Sequence, residues 1–381
     1  MKKKYFLFFI FLILLYAISI NLSAQTNLIK NQLNHFQVVF PAILSSSFIT
    51  SFLILELMYN IDLNEDITYD LVDSMLFFAI LPIYFFDIPK GLLFCGVFLG
   101  LNLIADYLWD VDEDFIAQIP ANGYMDFSFF STYAIYREGR VRAKKGLYNE
   151  NWREKAFGNS EFFSYFIPTG KDTKWKPYSF IDLALSPISK DNLSDLLILI
   201  IIPEGFLAPF LQEMILGNDF SQSVFNTGKL FIGTHELPFL LGIPAMVVFL
   251  YLLCSFVAIG EESFFRGFLY EELGATFNDW VGKATDMILF PLFHVSSEIK
   301  FYQDNPQYFW NYFLRRSLLT FIIDLTYDRG GLSRSVALHF WIDFTQLIAY
   351  YLIYGGVPHQ SFTDIMGLSY KRIEIQFTFT F

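Results

Sequence analysis

Ala258-Ile259-Gly260-Glu261-Glu262-Ser263-Phe264-Phe265-Arg266 sets two adjacent carboxylates and an arginine directly after an apolar run, residues 237–259. At the centre of a membrane helix each charge costs about 3 kcal/mol, so this stretch needs partners for its charges. Helical spacing supplies one. Glu262 and Arg266 stand at i and i+4, on one face, where they can pair. Glu261 lies about 100° around the helix from its neighbour. One carboxylate is thus expected as the structural partner of Arg266, while Glu261 stays free for chemistry. Taken alone, the stretch also fits a helix end with solvated charges at a membrane surface.

Two later stretches weigh against that second reading. Met287-Ile288-Leu289-Phe290-Pro291-Leu292-Phe293-His294 places Phe290 and His294 at i and i+4 in an apolar segment. His339-Phe340-Trp341-Ile342-Asp343 repeats the spacing in another. A lone histidine on an apolar face is usually a satisfied core residue. Two histidines, a Glu-Glu pair and an aspartate on separate apolar segments are expected to face one another or a wet cavity.

Glu261-Glu262 with Arg266, then Phe290 with His294, then His339 with Asp343 resemble the three ordered motifs of the CPBP intramembrane proteases. That family includes the CAAX prenyl endopeptidases and the Abi-type proteins. The resemblance covers residues 237–354. It departs from the family at Asp343, where Asn is common, and between the second and third motifs. That intermediate helix is often rich in glycine, whereas residues 312–328 contain none and carry Arg315-Arg316. The resemblance implies an all-α polytopic membrane protein with a CPBP-type helical bundle. It also implies an endopeptidase acting on a membrane-associated or lipidated, CAAX-type protein or peptide.

Composition sets the class independently. Hydrophobic residues make up 54% of the chain and it contains 47 Phe, too apolar for an ordinary soluble protein. Several runs approach the ~20 residues that span a bilayer. A net charge of −12 argues against a nucleic-acid partner, leaving membrane lipids and a membrane-associated substrate. Cys95 and Cys254 fall in apolar runs and read as buried free thiols.

In chain order, residues 1–24 read as a signal peptide, with Lys2-Lys3-Lys4 before an apolar stretch and a small-residue site at Ala24; an uncleaved signal anchor is the alternative. Residues 25–110 form an N-terminal hydrophobic region, with one span over 38–59 and a Pro-broken helix pair over 75–109. Residues 111–192 are a polar, basic insert in which nothing looks catalytic. Its basic residues are solvated, lie against headgroups or belong to a small subdomain. Residues 193–360 form the CPBP-like domain, in which Glu204 is a further intramembrane carboxylate, Glu271-Glu272 read as surface-exposed, and 329–333 make the turn before the last span. Residues 361–381 alternate with period two and read as a β-like tail. The expected location is an inner bacterial membrane, crossed several times.

Peptide hydrolysis here needs a water nucleophile, because no Ser/His/Asp or Cys/His arrangement stands out. Glu261 and His294 would hold and deprotonate that water. His339 and Asp343 would stabilise the developing oxyanion. Ionised Asp cannot donate a hydrogen bond, so Asp343 must be protonated, orient His339, or face a positive group. A metal is the other option. Glu261, His294 and His339 make a His₂Glu donor set of the catalytic-zinc type, with Asp343 as supporting partner or fourth ligand. Metal-free glutamate chemistry, with no cofactor, is the preferred reading, although the family is commonly labelled a metalloprotease family. Glu262, Arg266 and Phe290 take supporting roles. A non-catalytic scaffold or immunity-type protein of the same fold is the main alternative. A proton or ion transporter is less well served, since its paired repeats are missing.

Overall fold

The computed structural model describes residues 178–297 and 309–358 except 216, 218, 219, 233 and 234, together with Asp126, Phe129, Phe130, Tyr133, Ala134 and Arg137. The signal segment, the N-terminal hydrophobic region with Cys95, most of the polar insert and the alternating tail lie outside the described residues.

Long helices dominate. Helix α1 is Leu196–Ile215, α2 is Phe239–Phe264, α3 is Glu271–Thr276, α4 is Asp279–Ser297 and α5 is Phe309–Tyr354. Among the described residues three helical stretches are long and apolar enough to cross a membrane: Leu196–Ile215, Phe239–Gly274 and Phe309–Tyr354. Pro203, Pro209, Pro244 and Pro291 lie inside helices. Membrane helices tolerate this because neighbouring helices and side chains satisfy the freed backbone groups.

Helix α5 is the centre of the bundle, with α1, α2 and α4 packed around it. Leu250, Cys254 and Ala258 of α2 meet Val336, Phe340 and Tyr351 of α5 in the main core. Ile198 of α1 meets Ile323 and Leu338 of α5 in a second. Gly205 lets α1 approach closely, since a Cβ there would land on Thr345. The far side of α1 leaves Leu199, Ile200, Leu207, Leu211 and Met214 exposed, the apolar surface of a lipid-facing helix. Glu204 is on this exposed side, at the Pro203 position, within electrostatic reach of Arg315.

Among the described residues the only sheet is a hairpin, β1 (Lys229–Ile232) antiparallel to β2 (His235–Pro238), directly ahead of α2. Phe231 N–H donates to the Gly355 carbonyl at 2.8 Å, tying the hairpin to the end of α5.

Helix α5 is broken at Gly331, with φ 70° and ψ −169°, within the turn expected from Gly330-Gly331. This backbone region is essentially restricted to glycine. On a straight helix Asp324 and His339 would stand about 22 Å apart along the axis. Both nevertheless reach partners one turn apart on α2 and its continuation, Arg266 and Glu262. The break bends α5 so that both halves face the same place. Gly331→Ala is therefore expected to cost about 1–3 kcal/mol. A lower thermal midpoint in detergent micelles is the expected result; an unchanged midpoint would show that the bend does not depend on glycine.

Candidate active site

The Glu-Glu-Arg stretch ends α2 and enters a π-helical segment, Phe265–Tyr270, before α3 resumes. Such wide turns concentrate at functional sites. Arg266 within it is completely buried. Its guanidinium lies 3.0 Å from Glu262 Oε1, 3.0 Å from Asp286 Oδ2 of α4 and 3.0 Å from Asp324 Oδ1 of α5. It also covers the Phe290 ring, 4.6 Å from the centroid. Burying ions is costly unless they are paired with good geometry. Here one fork of donors serves three carboxylates from three helices, a task for which Lys lacks the geometry.

Glu262 links this cluster to the histidines. The oxygen that accepts from Arg266, Oε1, also accepts from His339 Nδ1 at 2.7 Å. That bond fixes the His339 tautomer and turns Nε2 away, to 3.7 Å from Glu261 Oε2 and 3.3 Å from Asp343 Oδ2. His294 is oriented in the same way. Its Nδ1 donates to the Phe290 carbonyl at 2.9 Å, leaving Nε2 3.5 Å from Glu261 Oε2. Phe290 packs between the two imidazoles, its centroid 4.5 Å from His294 and 6.0 Å from His339.

Glu261, His294, His339 and Asp343 therefore come together, with Glu261 Oε2 between the two Nε2 atoms. A neutral His339 that donates from Nδ1 presents only a lone pair to Asp343, so one of those two groups must carry an additional proton. Glu261 is buried, whereas the Asp343 side chain is 35% exposed, which marks the mouth of the site. The donor types suit zinc. Yet among the described residues no three His, Cys, Asp or Glu side chains close into a group able to hold a metal.

Sequence reasoning missed Asp286 and Asp324. The signal was present for Asp324, a carboxylate inside an apolar helical segment. It read Glu271-Glu272 as exposed, and this is corrected: Glu272 is fully buried, and Glu271 pairs with Arg137 and accepts from the Tyr327 hydroxyl. Because the helix continues through the π segment, Glu272 stays inside the bundle and Glu271 is partly covered at its edge. Arg316, part of the departure from the family pattern, lies over the Tyr312 ring at 4.4 Å and within electrostatic reach of Glu261.

With this geometry in view, residues 243–345 match the family described as type II CAAX prenyl endopeptidase Rce1-like. The matched segment runs from within α2 to within α5, about a quarter of the chain, and includes all three motifs. No curated protein and no solved structure matches the chain significantly. The family so matched is one of proteases, and the three apolar helices are consistent with a helical membrane protein. Helix α1, the hairpin and Asp126 lie outside the matched residues.

The Arg266 cluster yields a stability prediction. Arg266→Ala strands three buried carboxylates, and losing one partner of a buried pair already costs roughly 3–5 kcal/mol. Folded yield of Arg266→Ala in micelles should collapse, with Arg266→Lys only partly restoring it. A well-folded, monodisperse Arg266→Ala protein would contradict the structural role.

Proposed function

We propose that the chain is an intramembrane endopeptidase in which a water activated by Glu261 cleaves a peptide bond of a membrane-associated protein. The observation that carries this reading is the position of Glu261 Oε2, 3.5 Å from His294 Nε2 and 3.7 Å from His339 Nε2. Those separations exceed a direct hydrogen bond and suit groups that share a third atom.

In the proposed step Glu261 takes a proton from the water, oriented by His294, as the water oxygen attacks the scissile carbonyl carbon. His339, held at Nδ1 by Glu262, faces the oxyanion with Nε2, and Asp343 orients that ring. The tetrahedral intermediate collapses with cleavage of the C–N bond, and Glu261 passes its proton to the leaving nitrogen. The products are a carboxylate and an amine. Arg266, Glu262 and Phe290 hold these groups in place. No step is routed through a metal; Glu261, His294 and His339 are the residues that would hold a zinc ion, which would polarise the water or the scissile carbonyl.

The Rce1-like match supports a CAAX-type substrate, lipidated and presented from the membrane. The apolar helices support a protein that crosses a membrane several times. Glu261→Gln leaves the arginine cluster intact and removes the base. It should lower turnover by about 10²–10⁴-fold. Membranes from cells carrying Glu261→Gln should accumulate an uncleaved precursor, read by quantitative proteomics. Membrane proteomes identical to wild type would support the scaffold reading instead.

Asp343→Asn separates glutamate from zinc chemistry. An amide there orients His339 without needing a proton, so activity should be kept or raised, with no metal found by elemental analysis of the purified protein. If the group instead anchors a metal-bound His339, the change should weaken metal retention by about 10–100-fold. Lost activity that added zinc restores would establish the metal mechanism.

A further inference from the structure

The region that reads from sequence as a polar insert without catalytic features contributes one helical face to the Glu261 site. Asp126, Phe129, Phe130, Tyr133, Ala134 and Arg137 are helical and spaced by threes and ones, so they form a single stripe. The stripe runs along α2 and its continuation, in the same direction and in constant register. A Cβ on Gly260 would collide with Asp126, a Cβ on Gly267 would come 2.5 Å from the Tyr133 ring, and Arg137 pairs with Glu271. Each of these pairs is 134 residues apart. Phe129 stacks on Phe264 with centroids 4.6 Å apart.

Asp126 is the odd member. It is fully buried, and neither carboxyl oxygen has a hydrogen-bond partner among the described residues. Burying a polar group without a partner costs stability. A helix that packs aromatic rings on Gly267 and Phe264 would be better served at Gly260 by an apolar residue. What stands opposite is the proposed machinery: Glu261 and His339 are both within electrostatic reach of the Asp126 carboxyl. Residues retained against the local packing rules concentrate at functional sites.

We propose that Asp126 is a positioning residue of this site, its carboxyl lodged on Gly260 so that Glu261 is held toward His294 and His339. The proposal rests on the protease reading above. It acts through two links on the page. The missing side chain at Gly260 admits Asp126 to backbone contact, and Gly260 is bonded directly to Glu261. Any shift of Asp126 is thereby passed to the proposed base.

The test uses full-length protein in micelles: wild type, Asp126→Asn and Glu261→Gln. Each is assayed for thermal midpoint and for kcat and KM on a fluorogenic farnesylated CAAX-type peptide. The expected Asp126→Asn protein is as stable as wild type or more so, has an unchanged KM, and loses about 10–100-fold in kcat, the scale of a small misplacement of reacting groups. A lower midpoint, or failure to accumulate, would assign Asp126 to folding and overturn the proposal. Wild-type kcat in Asp126→Asn, with Glu261→Gln inactive, would overturn it while leaving the protease reading standing. Equal cleavage by wild type and Glu261→Gln, or none by either, would remove the protease reading and this inference with it.

Discussion

The structure depends on one buried guanidinium. Arg266 gathers Glu262 from its own helix, Asp286 from α4 and Asp324 from α5. None of these charges reaches solvent, so each holds the others in place by the cost of leaving one alone. Through the shared Oε1 of Glu262 the same cluster sets the His339 ring. The adjacent glutamates thus divide their work by direction. Glu262 turns inward to the arginine and fixes an imidazole from behind, while Glu261 turns to the Nε2 atoms of both histidines.

Depth follows from helix length. Glu261 stands 22 residues beyond Phe239, about 33 Å along α2 at 1.5 Å per residue. That is close to the ~30 Å thickness of a bilayer's hydrocarbon core. The hairpin caps one end of this length, beside Gly355, and the histidine site lies toward the other. The half-exposed Asp343 side chain fits that location, where water and a peptide backbone can enter without crossing the apolar layer.

Spacing made part of this legible. The i, i+4 relation between Glu262 and Arg266 carries their pairing, and it leaves Glu261 turned elsewhere. Gly330-Gly331 announces the break in α5 because few other residues accept that backbone. The apolar run at 237–259 locates α2, since length and hydropathy suffice. Asp286 was hidden because its relevance comes from a partner on another helix, Arg266. Glu271 and Glu272 were misread for a related reason: a π-helical turn and neighbours distant in sequence decide which face they occupy. Asp126 sits among polar and aromatic residues where one more carboxylate carries no signal. What these groups do chemically is a separate question from where they lie, and position alone made only the second readable.

The constant offset between the Asp126 stripe and α2 has a consequence for how the chain can vary. Contacts at Asp126, Tyr133 and Arg137 span three turns of one helix against three turns of another. Exchanging one side chain alters one of them. Inserting or deleting a single residue between 126 and 137 rotates everything beyond it by about 100° and displaces the contacts downstream together. The same holds between 260 and 271 on the facing helix. The two segments are keyed like the teeth of two racks, so they can drift in composition but not in length.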